Sequence, residues 1–288
     1  MATAKANGIE LEYDVLGDPA DPAMLLIMGL GAQLTDWPQG FCEQLAGRGF
    51  RVIRFDNRDS GLSGGLDEFG SPDLAALLSG DTRTVPYRLA DLAADAAGLL
   101  DALDVDRAHV VGVSMGGMIA QQLTLDFPER VLSFCSIMST TGDRSVGRPT
   151  PEAAAVLTRP AAPNRDDAIA NAVAVSRTIG SPGFPADADE VLRRATAKVD
   201  RAYRPAGTAR QYAAILASPD RTARLRNVAV PALVIHGADD PLIDVSGGRA
   251  TAAAVPGAEL LVVPGMGHDL PVGAWPQILD AISRTAGR

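Results

Sequence analysis

Short apolar runs recur along this chain, each parted from the next by a longer stretch, and that rhythm limits the folds open to it. AMLLIMG (23–29), FRVIRFD (50–56), AHVVGVS (108–114), VLSFCSIM (131–138), PALVIHG (231–237) and ELLVV (259–263) have the length of strands. The first is apolar throughout, as a central strand buried on both faces should be. Residues 85–103 and 115–127 carry apolar side chains at helical spacing, the former with a proline near its start. GIELEYDV (8–15) alternates at period two, which predicts a half-buried edge strand. Strands alternating with helices predict an α/β fold, a mostly parallel sheet flanked by helices.

The rhythm breaks once. Residues 141–226 hold no convincing strand, are rich in Ala, Arg and Pro, and show helical patterns near 186–202 and 208–217. From residue 228 the alternation resumes. The middle of the chain therefore reads as an insertion after strand six, into a core made of residues 1–140 and 227–288.

With 288 residues and 47% apolar side chains, the chain can bury a sizeable core. A net charge of −9 argues against nucleic acid as a partner, because such binding needs a basic face. No apolar run reaches the ~18 residues of a membrane span. The opening MATAKANGIE lacks the apolar core of a secretory signal, so a cytoplasmic location is expected. Cys42 and Cys135 lie far apart in apolar surroundings, which predicts buried free thiols. Three scattered histidines and two distant cysteines predict no metal site. No phosphate-binding glycine loop follows a strand, so no cofactor is expected.

The chemistry concentrates in HVVGVSMGGMIA (109–120), where Ser114 stands two residues from Gly112 and two from Gly116. A strand that turns into a helix through one residue holds that residue in a strained conformation and lifts its side chain above the sheet. The backbones pass closely there, so the positions two before and two after cannot carry bulk. The helix starting at Met115 also turns unpaired N–H groups and its positive end toward the serine, as an oxyanion requires. This is the G-x-S-x-G nucleophile elbow in its strand, turn and helix context. With 14 serines and 29 glycines, chance supplies roughly 0.1 such matches per chain, so partners must decide.

A serine hydroxyl needs a base, and histidine is the usual one. His109 opens the strand that ends at Ser114, which predicts a surface residue at the far end of the sheet. His236 lies inside an apolar run, where a structural role is expected. His268 stands in VPGMGHDLP (263–271), a Gly- and Pro-rich loop after the last strand, where sites of open α/β sheets gather. His268 is the base by elimination and position. The carboxylate that orients the imidazole comes from HGADDPLID (236–244), which offers Asp239, Asp240 and Asp244; two of the three are expected to be turn or cap residues.

With IMGL (27–30), DNRDSGLS (56–63), GVSMGG (112–117), HGADD (236–240) and GMGH (265–268) in place, the chain resembles the α/β-hydrolase fold family. These motifs span about 8–140 and 228–288, and as a set they are highly specific. The resemblance implies that the acid is Asp240, the last residue of an H-G-x-x-D pattern. It implies oxyanion donors at the backbone N–H groups of Met115 and Leu30. Family members usually carry histidine before the glycine at position 29; this chain has Met28, a departure that touches loop support more than the donor. GDPADPA (17–23), LLIMG (25–29), RAHVVGVSMG (107–116) and PGMGHDLP (264–271) are similar to esterases of the aclacinomycin methylesterase type. The insertion does not share that similarity. It falls where the family carries a helical cap, or lid, over the serine; its aromatics, Phe184, Tyr203 and Tyr212, are expected to form the cap's own core.

The expected activity is a cofactor-free serine esterase acting through an acyl-enzyme on a small-molecule ester. The alanine-rich insertion with few aromatics suggests a roomy apolar pocket, hence methyl or other small-alcohol esters of bulky apolar acids. The same triad would serve a C–C bond hydrolase, a thioesterase or a perhydrolase. A slow-turnover small-molecule receptor on the same fold is a further alternative. A homodimer is left open, and neither nucleic acid nor a membrane is an expected partner.

Overall fold

A computed structural model describes residues 1–287. Eight strands make one sheet: β1 (Ala2–Ala6), β2 (Ile9–Leu16), β3 (Ala23–Ile27), β4 (Arg51–Phe55), β5 (Ala108–Val113), β6 (Val131–Ile137), β7 (Ala232–Gly237) and β8 (Glu259–Val263). Their order is β1-β2-β4-β3-β5-β6-β7-β8. β2 runs antiparallel to both neighbours, and every pairing from β4 to β8 is parallel. The alternating segment at 8–15 is therefore the second strand, not the edge. β1, with the sequence ATAKA, is too short and too poor in large apolar side chains to announce itself, and it covers β2 at the rim.

Side-chain alternation along the strands builds two apolar layers. Leu25 and Ile27 of β3 face one side, where α3 (Leu89–Ala102) and α4 (Met115–Asp126) pack through Leu92, Leu99, Ile119 and Leu123. Met24 and Leu26 face the other, against Phe41 and Leu45 of α1 (Gln39–Ala46) and Ile278 and Ile282 of α11 (Trp275–Thr285). Both cysteines are buried free thiols, and desolvation raises the Cys42 thiol to about 11. His109 corrects the sequence expectation. It opens β5 in the middle of the sheet, where Phe50 stacks edge-on at 5.7 Å and Ser133 Oγ lies 2.8 Å from its Nδ1, so it is buried.

Between β6 and β7 the described chain holds helices and no strand: α5 (Pro151–Leu157), α6 (Arg165–Ile179), α7 (Ala188–Arg201), α8 (Pro205–Ala217) and α9 (Thr222–Leu225). Local signals explain their starts. Thr150, Asn164 and Asp187 accept N–H groups of the first turn of α5, α6 and α7, and Pro205 opens α8. The sequence pattern revealed α7 and α8 but not α5 and α6. α6 buries only Ala168 and Ile169, too thin an apolar stripe to read as a period. α2 (Leu74–Leu78) precedes α3, and α10 (Ser246–Ala254) links β7 to β8.

The chain steps from β3 outward to β4, then back across β3 to β5. That reversal opens a crevice at the carboxyl ends of β3 and β5, the usual place for a site in such a sheet. The loop after β4 is fastened to the core below it by Arg58, which grips Asp95 of α3 at 2.5 and 2.6 Å while Asn7 donates to the same carboxylate at 2.9 Å. Both partners of this pair are buried. A buried charge stripped of its partner costs about 3–5 kcal/mol, whereas replacing both ends together costs far less. Asp95→Ala should therefore lower unfolding stability by about 3 kcal/mol or more in urea titrations. Arg58→Met with Asp95→Leu should recover most of that loss.

Candidate active site

Ser114 is the one residue between β5 and α4, and its backbone sits at φ +56°, ψ −119°. The strain follows from three backbones crowding together. A Cβ on Gly112 would stand 2.0 Å from the Gly116 carbonyl oxygen, and one on Gly116 would stand 2.0 Å from that of Ile27. Glycine is the only residue that fits at either position. Ser114 N–H bonds the Ile137 carbonyl at 2.9 Å, and its own carbonyl accepts from Gly117 and Met118, so the serine is held from both sides.

The loop after β3 passes directly beside it. A Cβ on Gly29 would lie 3.1 Å from that of Ser114. Residues 29–32 form a turn closed by Ala32 N–H to the Gly29 carbonyl at 3.2 Å. Among the described residues, the N–H groups of Leu30 and Met115 have no hydrogen-bond partner. Asn57 donates to the Met28 carbonyl at 2.9 Å, and Asp56 accepts from Leu34 N–H at 2.6 Å. The loop that carries Met28 is thus supported by the DNRD segment after β4.

His268 lies in the loop after β8, with its Nε2 2.9 Å from Ser114 Oγ and its Nδ1 2.7 Å from Asp240 Oδ2. A carboxylate only accepts, so Nδ1 carries the proton and Nε2 is free to accept the serine hydroxyl. The other oxygen of Asp240 accepts Leu242 and Ile243 N–H at 2.8 and 2.9 Å. The side chains of Asp240 and His268 are almost wholly buried. The three aspartates now separate. Exposed Asp239 accepts Gly265 N–H at 2.8 Å and ties two loops, and Asp244 accepts Ser246 N–H at the start of α10. His236 donates its Nε2–H to the Ile243 carbonyl at 2.8 Å beneath Asp240, and burial depresses its basicity, keeping it neutral.

Sequence reasoning missed the part played by the insertion. His268 N–H bonds the Ile179 carbonyl at 2.7 Å, Gly183 N–H bonds Gly265 O at 2.8 Å, and Gly267 N–H bonds Ser181 Oγ at 2.8 Å. Ser181 Oγ in turn donates to Asp269, whose carboxyl burial pushes above its usual range. Arg210 of α8 clasps Asp59 at 2.6 and 2.7 Å, and Tyr87 donates to the same carboxylate at 2.8 Å. No local pattern announces the insertion's residues among these, because Ser181 and Arg210 find their partners more than 80 positions away. Of the insertion's aromatics, Phe184 packs on the sheet-side core near Gly273, while Tyr203 is exposed and its hydroxyl accepts Ala162 N–H.

The elbow glycines give a direct test. Gly116→Ala should lower the melting temperature steeply or prevent folding, since nothing but backbone can move away. Gly40→Ala, where a Cβ meets only the Trp275 ring at 3.4 Å, should be nearly silent.

Residues 22–272 match the family described as alpha/beta hydrolase fold. The chain is 32% identical to the rhodomycin D methylesterase DnrP of Streptomyces peucetius, over 95% of this chain and 94% of that protein. It is 29% identical to a 3-oxoadipate enol-lactonase of Acinetobacter baylyi, over 86% of this chain and 82% of that one. Among solved structures, a hydrolase from Pseudomonas aeruginosa PA01 superposes with a TM-score of 0.75 at 28% identity, covering 100% of this chain and 98% of its own. Sheet order, elbow and full-length similarity agree: the chain belongs to the α/β-hydrolase fold family, as a methylesterase-type member.

Proposed function

We propose that this carboxylic ester hydrolase works through Ser114, His268 and Asp240, by way of an acyl-enzyme. The observation that carries the reading is the unbroken chain of hydrogen bonds from Ser114 Oγ through the imidazole to Asp240. His268 Nε2 takes the hydroxyl proton as Oγ attacks the ester carbonyl. Leu30 and Met115 N–H groups receive the tetrahedral oxyanion, and Asp240 stabilises the imidazolium. The proton on Nε2 then passes to the leaving alcohol. A water that gives its proton to the same nitrogen attacks the acyl carbonyl and frees the acid.

The insertion, residues 141–226, serves in this reading as a cap that covers the acid part of the substrate and excludes water. The leaving alcohol lies toward the His268 loop. Methyl or ethyl esters of bulky apolar acids are the favoured substrates, in keeping with the methylesterase relatives. A panel that varies acid and alcohol separately tests this. Small-alcohol esters of large apolar acids should lead, and a preference for long-chain triglycerides would overturn the pocket assignment. A burst of product with negligible steady turnover would favour the receptor reading instead.

Ser114→Ala should fold normally and lower kcat about 10⁴-fold or more, with a serine-directed phosphonate labelling Ser114 alone in the parent protein. Asp240→Asn should cost far more activity than Asp239→Asn, measured as kcat/KM on one ester. Comparable losses in the two variants would refute the assignment of the acid.

A further inference from the structure

Gln211 is a fully buried amide on α8, and it reaches out of the insertion into the loop beside Ser114. Its Oε1 accepts Gly31 N–H at 2.8 Å, and its Nε2 donates to the Arg58 carbonyl at 2.7 Å. Gly31 stands at φ +61°, and a Cβ there would press on Thr208 Oγ1 at 2.7 Å, one helical turn from Gln211. The backbone of the turn thus lies against the Thr208 side chain of the helix. Within the turn at 29–32, Ala32 N–H closes on Gly29 and Gly31 N–H is committed to Gln211, while Leu30 N–H is unpaired among the described residues. Two residues on, Gln33 donates to the Lys198 and Ala202 carbonyls at 2.8 and 2.9 Å. The loop therefore stays docked on the insertion even when Gln211 is changed.

We propose that Gln211 is a positioning residue for the oxyanion hole: by capturing Gly31 N–H it fixes the turn that presents Leu30 N–H to the reacting carbonyl. The proposal rests on the esterase reading above and on Leu30 as a donor. Without the amide, a turn that contains two glycines loses the bond that fixes it, and Gly31 N–H loses its partner. The penalty falls on the transition state, where the oxyanion develops, and little on the bound ester.

The test compares Gln211→Met, which matches the side chain's length and removes both hydrogen bonds, with the unmodified enzyme on a methyl ester. The expected result is a fall in kcat of about 10-fold or more, short of or approaching the loss of a whole oxyanion donor, with KM within about two-fold. Affinity for a trifluoromethyl ketone, which forms a tetrahedral adduct on the serine, should fall in parallel, and affinity for the carboxylic acid product should not. An unchanged kcat, or a fall with undiminished ketone affinity, overturns the proposal. Gln211→Glu supplies a second measurement if the Met variant does not fold. Its carboxylate sets a negative charge beside the oxyanion, whereas its protonated form restores both bonds. The ratio of its activity to that of the unmodified enzyme should rise as pH falls, and a ratio independent of pH counts against the proposal. Failure of the unmodified enzyme to cleave any ester would instead overturn the esterase reading.

Discussion

The close passage of three backbones at the carboxyl ends of β3 and β5 sets the geometry of everything above the sheet. Gly112 and Gly116 let α4 start against β5 and against the Ile27 carbonyl of β3, and the contact leaves room for no side chain. Two consequences follow from that single approach. Ser114 is forced into a left-handed conformation that lifts its hydroxyl clear of the sheet, and the first turn of α4 faces the loop that follows β3. The strained residue persists because β6 holds its N–H and α4 holds its carbonyl. Local strain is offset by packing on both sides.

Charge pairs hidden beneath the loops do a different job from the apolar layers. Arg58 with Asp95 fastens the loop after β4 to α3, and Arg210 with Asp59 fastens α8 to that same loop. Buried pairs of this kind contribute little net stability, because desolvation offsets most of their attraction. They do specify position, since a displaced partner leaves a bare charge in a dry interior. The loop after β4 is consequently a rigid block, and both the turn at 29–32 and the helices of the insertion are set against it.

The insertion is bonded to two separate parts of the site. Through Gln211 and Gln33 it holds the loop after β3, and through Ile179, Ser181 and Gly183 it holds the loop of His268. Several of these contacts are backbone to backbone, with glycine facing glycine at positions 183 and 265. Lifting residues 179–184 as a unit would strip the His268 N–H of its acceptor. Motion that leaves the histidine in place must therefore occur elsewhere in the insertion.

Much of the fold was legible because it follows from local chemistry. Continuous apolar runs read as buried strands, and glycines flanking a serine after such a run read as an elbow. A histidine in a Gly- and Pro-rich loop after the last strand read as the base. These signals are short-ranged, so a linear text contains them. What escaped the sequence is what depends on the partner's position in space. β1 is a five-residue edge with no large apolar side chain, and α6 hides behind two buried side chains. His109 reads as exposed until Phe50 is found across it. Residue type alone left Asp239, Asp240 and Asp244 open, and the family pattern pointed to Asp240. Tertiary structure supplies the physical difference, since of the three only Asp240 has two N–H groups cupping one oxygen and His268 meeting the other. Gln211 reads as an ordinary polar residue on a helix until the fold buries it, 180 positions from the N–H that it captures. Sequence determined which strands form and which reactive side chains stand at their ends, because residue type and local spacing are short-range properties. Tertiary structure decided which carboxylate meets His268 and which amide captures Gly31 N–H, because a hydrogen bond is made by distance in space and not by distance along the chain.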